Sequence, residues 1–418
     1  FKTKRALIVD EITATMNRYL PKVEGDQVIQ IGTVIINYGE PKCSIKHMVT
    51  LNGCDPIPGC IVESCDNERD VIIKWAEFIN QLDPDIIIGY NIFGFDYKFI
   101  WERAEELDCT EIIAPLLTRI KSPEHYAFLE TQKLSSAGLG DNELHYINMP
   151  GRVQVDLYKI AQRDHKLDSY KLDFVSSTFI NGSIKKFENR DNGCLLKTDN
   201  IVGLIVNNYI TIGIKTLNGI EKYNEGQKYK ILEINSETKE LLIDQPVDLE
   251  LEHKKYQWGL AKDDVSPQEI FKLSNGDDYD RWTVGKYCIA DCDNVLWLLL
   301  KTDIITGYVE MSNLCSVPLS FLLQRGQGIK LQSYVSKKCG EKNTLMPTLQ
   351  KNNKSDGYEG AIVFEPKEGI YLEDPVACVD YSSLYPSSII SENISHDSKV
   401  WSKEYDLSNN LINETGEK

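Results

Sequence analysis

The sequence predicts an α/β protein of more than one domain, and three observations carry that reading. Short runs of β-branched residues alternate with stretches whose apolar residues recur at helical spacing. A block in the middle of the chain changes to strict alternation broken by turn residues, the texture of a small all-β unit. The length of 418 residues, with 42% hydrophobic and 26% charged residues, is enough for two or more cores of ordinary globular composition.

The elements follow in order. Phe1 to Leu20 places Leu7, Ile8, Ile12, Met16 and Leu20 at helical period and predicts an amphipathic helix, part of a helical lead-in over residues 1–25. Asp26 to Tyr38, DQVIQIGTVIINY, is rich in β-branched residues, and Lys42 to Leu51 can pair with it around Gly39 and Pro41. Arg69 to Leu82 sets Val71, Ile72, Trp75, Phe78, Ile79 and Leu82 on one helical face, and Asp83–Pro84 ends it. Ile86 to Ile88 is a short buried strand that runs through the Gly-rich turn Gly89 to Asp96, after which Tyr97 to Leu107 reads as a helix. Gly151 to Phe179 reads as a strand, a helix capped near Asp156 and a second short helix.

From Asn181 to about Lys262 the chain reads as an inserted small β module. Ile210, Ile212 and Ile214 alternate within Tyr209 to Leu217, Asn218–Gly219 is a hairpin turn signal, and Tyr229 to Ile234 and Leu241 to Leu251 continue the pattern. Ser266-Pro267-Gln268-Glu269 is a capping box with proline at the first helical position, and it opens a long helical region. Within that region Tyr287 and Asp291 lie one turn apart on one face. Asn343 to Asp356 reads as a polar loop. Val376 to Val379 suit a strand buried on both faces that delivers Asp380 at its end, and Pro386 can open a helix beyond it. After Trp401 the chain turns polar and no further element is read.

Bulk properties exclude several classes. No uninterrupted apolar run reaches spanning length, and no cationic start followed by an apolar block marks a secretory signal, so the expectation is a soluble, intracellular protein without a membrane. The 11 cysteines are an odd number with no C-x-x-C pair, which suggests neither a disulfide framework nor a zinc ribbon. Cys43, Cys54, Cys60 and Cys65 cluster too loosely for a structural metal site and read as small buried hydrophobes. The formal net charge of −17 opposes a generally basic nucleic-acid surface. Any such path has to be a local stripe, with Arg325, Lys330, Lys337 and Lys338 as candidates.

Three acidic residues sit where chemistry is done. A carboxylate at the end of a buried strand, such as Asp380, can hold a divalent cation, and the backbone N–H groups of Ser383 and Leu384 at the following helix entrance suit phosphate oxygens. Asp96 ends a strand and turn, and Asp291 shares a helix face with the Tyr287 hydroxyl. Each has a plain structural reading too: Asp96 as a turn residue, Asp291 as an exposed helix acid, Asp380 as a helix cap.

The strings are more specific than the single residues. DYSSLYPSSII at Asp380 to Ile390 resembles the first palm motif of family B DNA polymerases, D-x-x-S-L-Y-P-S-I-I, with an extra serine at Ser387–Ser388 that leaves the metal position untouched. YEGAIVFEPKEGIY at Tyr358 to Tyr371 resembles the Y-x-G-G/A segment that precedes that motif, and QRGQGIKLQSYVSKKC at Gln324 to Cys339 resembles the delta-type replicative polymerases and their relatives in large DNA viruses. GYNIFGFDY at Gly89 to Tyr97 resembles the second proofreading-exonuclease motif, with Asn91 and Asp96 at its functional positions. YCIAD at Tyr287 to Asp291 resembles the third, Y-x-x-x-D. GRVQVDLYKIAQRDHKLDSYKLDFVS, from Gly151, is similar to the delta-type pattern, so the resemblance covers nearly the whole chain except Phe1 to Gly25 and the β module.

This resemblance implies a ribonuclease H-like 3′-to-5′ exonuclease domain over residues 26–310, with 181–262 inserted in it, followed over 311–418 by the start of an α+β polymerase palm. It implies a DNA-directed DNA polymerase that extends a primer in replication by two-metal nucleotidyl transfer and proofreads with its exonuclease. In the exonuclease it makes Asp96 and Asp291 metal ligands, with Tyr287 positioning water. In the palm it makes Asp380 and the backbone carbonyl of Tyr381 hold magnesium, has Ser383 and Leu384 meet the triphosphate, and packs Tyr385 under the sugar. Two Mg2+ ions at each site, primer–template DNA, deoxynucleoside triphosphates and a processivity factor follow as partners, in the nucleus or at a cytoplasmic viral replication site.

One family motif is absent. The first exonuclease motif, D-x-E, should precede the DQVIQIG strand, whereas Asp10–Glu11 is adjacent rather than alternating and lies in the expected helix. The D-x-E is expected before Phe1, and the K-x-x-x-N-S-x-Y-G helix and D-T-D-S hairpin of the palm after Lys418, so the chain reads as the middle of a larger enzyme. Two other readings stand beside it. A stand-alone exonuclease of the same superfamily has no need of SLYP, and a non-catalytic DNA-binding or scaffold relative would account for the missing acidic partners.

Overall fold

A computed structural model describes residues 8, 9, 11, 12, 15, 26–40, 42–136, 140–216, 219–261, 265–346, 362–365, 367–372, 375–395, 398, 400–406 and 408–416. The chain divides into two compact units, Phe1–Tyr334 and Val335–Lys418. Most of the expected helix over Phe1 to Leu20 lies outside the described residues; Ile8, Val9, Glu11, Ile12 and Thr15 are helical and exposed. Among the described residues no helix is long and apolar enough to cross a membrane.

The first unit opens with the hairpin the β-branched runs predict. β1 (Gln30–Ile35) and β2 (Ile45–Leu51) pair antiparallel, with Ile31 opposite Val49, and β3 (Ile61–Cys65) joins β2 in parallel. α1 (Glu68–Leu82) starts where the Asn67 side chain accepts the Asp70 N–H, and ends where Asp83 turns left-handed at φ 52°. Its buried face, Val71, Ile72, Trp75, Ala76 and Ile79, lies in one core with Val49, Leu51 and Cys65 of the sheet. Burying each large apolar side chain contributes roughly 1.5–3 kcal/mol. The chain then forms β4 (Ile86–Gly89), α2 (Asp96–Glu106) and α3 (Thr110–Leu117). A buried ion pair ties these layers together. Arg103 on α2 donates from Nε and Nη2 to Glu68 at 2.8 and 2.5 Å, while Glu68 also accepts the Val28 N–H at 2.8 Å.

Next come an antiparallel hairpin of β5 (Phe128–Ser136) and β6 (Gly140–Asn148), and then β7 (Val153–Asp156), which pairs in parallel with β4 so that Gly89 stands opposite Asp156. The β5–β6 hairpin was not legible in the sequence, because LETQKL offers no apolar face to read by alternation. α4 (Leu157–Asp164), capped by Asp156, and α5 (Leu172–Phe179) follow as expected.

Between α5 and the next helix the alternating block forms a barrel. Its strands are β8 (Asn181–Arg190), β9 (Gly193–Thr198), β10 (Tyr209–Thr216), β11 (Gly219–Lys222), β12 (Lys228–Asn235), β13 (Glu240–Ile243) and β14 (Lys255–Ala261). The order β11-β10-β12-β13-β9-β8-β14 closes through a β10–β14 pairing, so only β11 stands outside the ring. Ile210, Ile212, Tyr229, Ile231, Leu196, Leu241 and Trp258 fill the interior, as period 2 requires. Asn218 of the expected turn lies outside the described residues, and the strand read over Leu241 to Leu251 stops at Ile243, just short of Pro246. At Gly193, with φ 139°, a Cβ would stand 1.8 Å from the Ile243 carbonyl oxygen, so the β9–β13 contact admits glycine alone.

α6 (Pro267–Ser274) carries the expected capping box at Ser266 and Glu269. α7 (Asp278–Thr302) runs 25 residues behind a second box formed by Asp277 and Asp280. It packs on β1 closely enough to demand glycine there: a Cβ at Gly32 would meet Cys288 Sγ at 2.9 Å and Cys292 Sγ at 3.3 Å. α8 (Ile304–Cys315) and α9 (Leu319–Gln324) complete the unit, and α10 (Gly328–Glu341) spans the division at Tyr334.

The second unit contains α11 (Leu384–Ser391) and an antiparallel hairpin of β15 (Trp401–Tyr405) and β16 (Leu411–Gly416). Two expectations are corrected here. Val376 to Val379 do not form a buried strand: Val376 is 73% and Val379 89% exposed, and no strand is paired there among the described residues. An extended segment joins a sheet only where a neighbour takes up its N–H and C=O groups. The polar stretch after Trp401 is not featureless but closes into the β15–β16 hairpin, with Ser402 opposite Thr415 and Lys403 paired to Glu414 at 3.2 Å. α11 starts at Leu384, so Pro386 sits in its first turn, where a missing N–H costs nothing.

Candidate active site

The turn after β4 is shaped by a carboxylate that the sequence marks only as a helix cap. Because β4 and β7 run side by side, Asp156 at the end of β7 faces the turn. Its Oδ1 accepts the Asn91 N–H at 2.7 Å and its Oδ2 the Phe93 N–H at 3.0 Å, while Oδ1 also accepts Tyr158 N–H at 3.0 Å to cap α4. Asp156 is 2% exposed. Burial pushes its pKa up, and the three backbone N–H groups pull against that rise. Asn91 is left-handed at φ 62°, and its side chain folds over Gly94, where a Cβ would lie 2.3 Å from Asn91 Oδ1. The turn thus delivers Asp96 as the first residue of α2.

Asp96 can be reached by solvent, yet protein crowds its carboxylate, and the resulting desolvation pushes its pKa up to about 6, with the Asp156 charge adding to the rise. A helix N-terminus favours the ionised form. Here desolvation wins, which leaves a carboxylate that would gain from a cation beside it.

α7 brings the other candidates to the same place. Tyr287 and Asp291 lie one turn apart and are half-buried. α7 packs on β4, the strand that runs into the Asp96 turn, and on β1, where Cys288 and Cys292 lie against Gly32. Two contacts fix α7 there: the Cys292 thiol donates to the Gly32 carbonyl at 3.5 Å, and Lys46 on β2 meets Asp293 at 2.5 Å. Burial raises the Asp293 pKa and the Lys46 contact opposes it. α7 packs on both β1 and β4, although among the described residues β1 pairs only with β2 and β4 only with β7.

The donor chemistry fits a hard divalent cation, since Asp96 and Asp291 offer carboxylate oxygens. In number it is half of a site: among the described residues no three His, Cys, Asp or Glu side chains gather where they could hold an ion. The second set of candidates lies in the other unit. Asp380 and Tyr381 are exposed, in the extended segment before α11. Ser383 is the left-handed N-cap at φ 50°, its carbonyl accepting the Ser387 N–H at 2.9 Å, and Leu384 and Tyr385 form the first turn. The first N–H groups of a helix have no partner within it and point toward any bound anion.

The basic candidates are scattered in kind. Arg325 stacks over the Phe321 ring at 4.8 Å, burial lowers the Lys330 pKa, and Lys338 pairs with Glu341 at 2.7 Å. Arg325 also lines a cavity of about 360 Å³ with Glu130, Tyr146, Arg152, Gln154 and Phe321.

The chain is similar to known proteins along both units. The family described as "DNA polymerase family B, exonuclease domain" matches residues 5–175, and "DNA polymerase family B" matches residues 317–414. The chain is 49% identical over 427 aligned positions to a DNA polymerase of Phaeocystis pouchetii virus, covering 98% of this chain and 41% of the relative. It is 43% identical to a DNA polymerase of Pyramimonas orientalis virus, covering 96% of the chain and 31% of the relative. It is 32% identical to the DNA polymerase delta catalytic subunit of Dictyostelium discoideum, covering 96% of the chain and 29% of the relative. The chain therefore spans less than half the length of these curated relatives.

Proposed function

Since the chain belongs to the family B DNA polymerases, we propose that it is the part of a replicative DNA polymerase that holds most of a 3′-to-5′ proofreading exonuclease and the beginning of the polymerase palm. The observation that carries the exonuclease half is the turn at the end of β4 that delivers Asp96 and is clamped by Asp156, with the Asp291 helix α7 packed on that same strand. The domain assignment is residues 26–310 for a ribonuclease H-like exonuclease, with the barrel at 181–262 as an insertion, and 311–418 for the start of the palm. Neither family match extends into residues 176–316, which supports an insertion there.

In the exonuclease, Asp96 and Asp291 would hold magnesium, and Tyr287, one turn before Asp291, would orient the attacking water against the terminal phosphodiester. Bound Mg2+ lowers the pKa of water and offsets charge on the phosphate as the bond breaks. Asn91, in the same turn, would contact the substrate. The remaining carboxylates would come from a D-x-E strand of the parent enzyme, for which the unpaired edges of β1 and β4, both under α7, offer room. In the palm, Asp380 and the Tyr381 carbonyl would hold magnesium, the backbone N–H groups of Ser383 and Leu384 would bind the triphosphate, and Tyr385 would lie under the sugar. Primer–template DNA and deoxynucleoside triphosphates are the substrates on this reading, and a processivity factor is a partner, at an intracellular site of replication.

The test is direct. The full-length parent enzyme should extend a labelled primer and degrade its 3′ end, both only with a divalent cation. Absence of both activities in Mg2+ would sink the reading and leave the scaffold alternative.

A further inference from the structure

We propose that one outer face of the barrel, over β10, β11, β12 and the Lys255 end of β14, binds the phosphate backbone of duplex DNA; the inference rests on the polymerase reading above. Residues 181–262 carry 12 basic and 12 acidic side chains, so the chain's net charge of −17 belongs entirely to the rest of the molecule. Within the barrel the two signs are not evenly mixed. Lys185, Lys197 and Lys254 are neutralised by Asp199, Glu240 and Glu250 at 3.6, 3.9 and 2.7 Å.

The strand register puts the other lysines together. On β10, Ile210 and Ile212 point inward, so Tyr209, Thr211, Gly213 and Lys215 point out. Directly opposite them stand Lys230, Lys228, Lys222 and, on the far side, Lys255 against Lys215. Cross-strand partners share a face, so these lysines form one stripe. Lys215, Lys222 and Lys255 are exposed and Lys230 half-buried, and among the described residues no carboxylate lies within ion-pair distance of any of the four. Glu221, the acid on β11, stands opposite Ile214 and so lies on the other face of the strand pair.

The stripe follows β10 for six residues, about 20 Å at roughly 3.3 Å per residue, which faces about six phosphates of one strand at 3.4 Å per step. The face carries no exposed aromatic ring among the described residues, Tyr209 being half-buried. Single-strand binders stack bases on such rings, so a duplex backbone is the better match.

The experiment uses the full-length parent enzyme with Lys215, Lys222, Lys230 and Lys255 all changed to Gln, and as control Lys185, Lys197 and Lys254 changed to Gln. Binding of a fluorescent duplex primer–template is measured across a salt series. Each phosphate contact adds about 0.9 to the slope of log affinity against log salt, so the quadruple variant should lose about 3.6 from that slope and bind at least tenfold more weakly near 0.1 M salt, while the control matches wild type. Extension at saturating DNA should be unchanged. A slope equal to wild type overturns the proposal. So does an effect confined to a single-stranded oligonucleotide, or to vesicles of anionic lipid. A wild-type enzyme that neither binds nor extends the duplex is a different result, and refutes the polymerase reading as well.

Discussion

Asp156 sets the backbone of the turn that carries Asn91 and leads to Asp96. One buried carboxylate receives N–H groups from Asn91 and Phe93, which sets the turn, and from Tyr158, which starts α4. Asp156→Asn replaces one acceptor by a donor facing an N–H, so it should cost roughly 1–3 kcal/mol in urea unfolding. In the full-length enzyme it should also slow 3′-end degradation at least tenfold while sparing primer extension. A variant with normal degradation would show that Asp156 caps a helix and nothing more. This role was hidden in the sequence because it depends on the pairing of β4 with β7 across 65 positions. Asp96, Tyr287, Asp291 and Asp380, by contrast, are proposed from short strings that need no pairing between distant strands. Tyr385 makes a separate prediction. If its ring fills the space of a ribose 2′-hydroxyl, overpacking of about 1–3 kcal/mol sets the sugar choice, so Tyr385→Ala should raise ribonucleotide incorporation by one to two decades with little change in base choice. An unchanged sugar ratio in a variant that still polymerises removes that role.

At the scale of elements, the β1–α7 contact decides where Asp291 stands. Gly32 lets the Cys288 and Cys292 sulfurs approach the strand, and Lys46 with Asp293 pins the helix beside it. Gly32→Val should force α7 outward, destabilise the unit by roughly 1–3 kcal/mol and reduce exonuclease activity more than extension. Equal loss of both activities would mean that the substitution acts through unfolding. Elements with a local signal were readable in advance: α1 and the barrel strands from apolar period, β4 from its apolar run, and the helical region of α6 and α7 from the Ser266 capping box. The β5–β6 and β15–β16 hairpins were not, because their residues are too polar for either period to show, and pairing between strands decided them. Val376 to Val379 fail in the opposite way: their composition fits a strand, but composition supplies no neighbour.

At the scale of the whole molecule, the proposed reading puts carboxylates of two metal-dependent sites on one chain, and among the described residues neither gathers three ligands. The isolated 418-residue chain should therefore degrade a 3′-labelled oligonucleotide in Mg2+ orders of magnitude more slowly than the full-length enzyme, since missing carboxylates leave cation repulsion uncompensated. Robust degradation would show that Glu11 or another acid serves. The order of motifs along the chain gave the family resemblance, while the closure of the barrel and its lysine face required the strand register. The most direct measurement compares Asp96→Ala and Asp291→Ala with wild type in the full-length enzyme, on one labelled primer–template with Mg2+. Each variant should lose 3′-end degradation by orders of magnitude and keep primer extension near the wild-type rate. Parallel loss of degradation and extension in both would contradict two separate sites, and undiminished degradation would remove Asp96 and Asp291 from the chemistry.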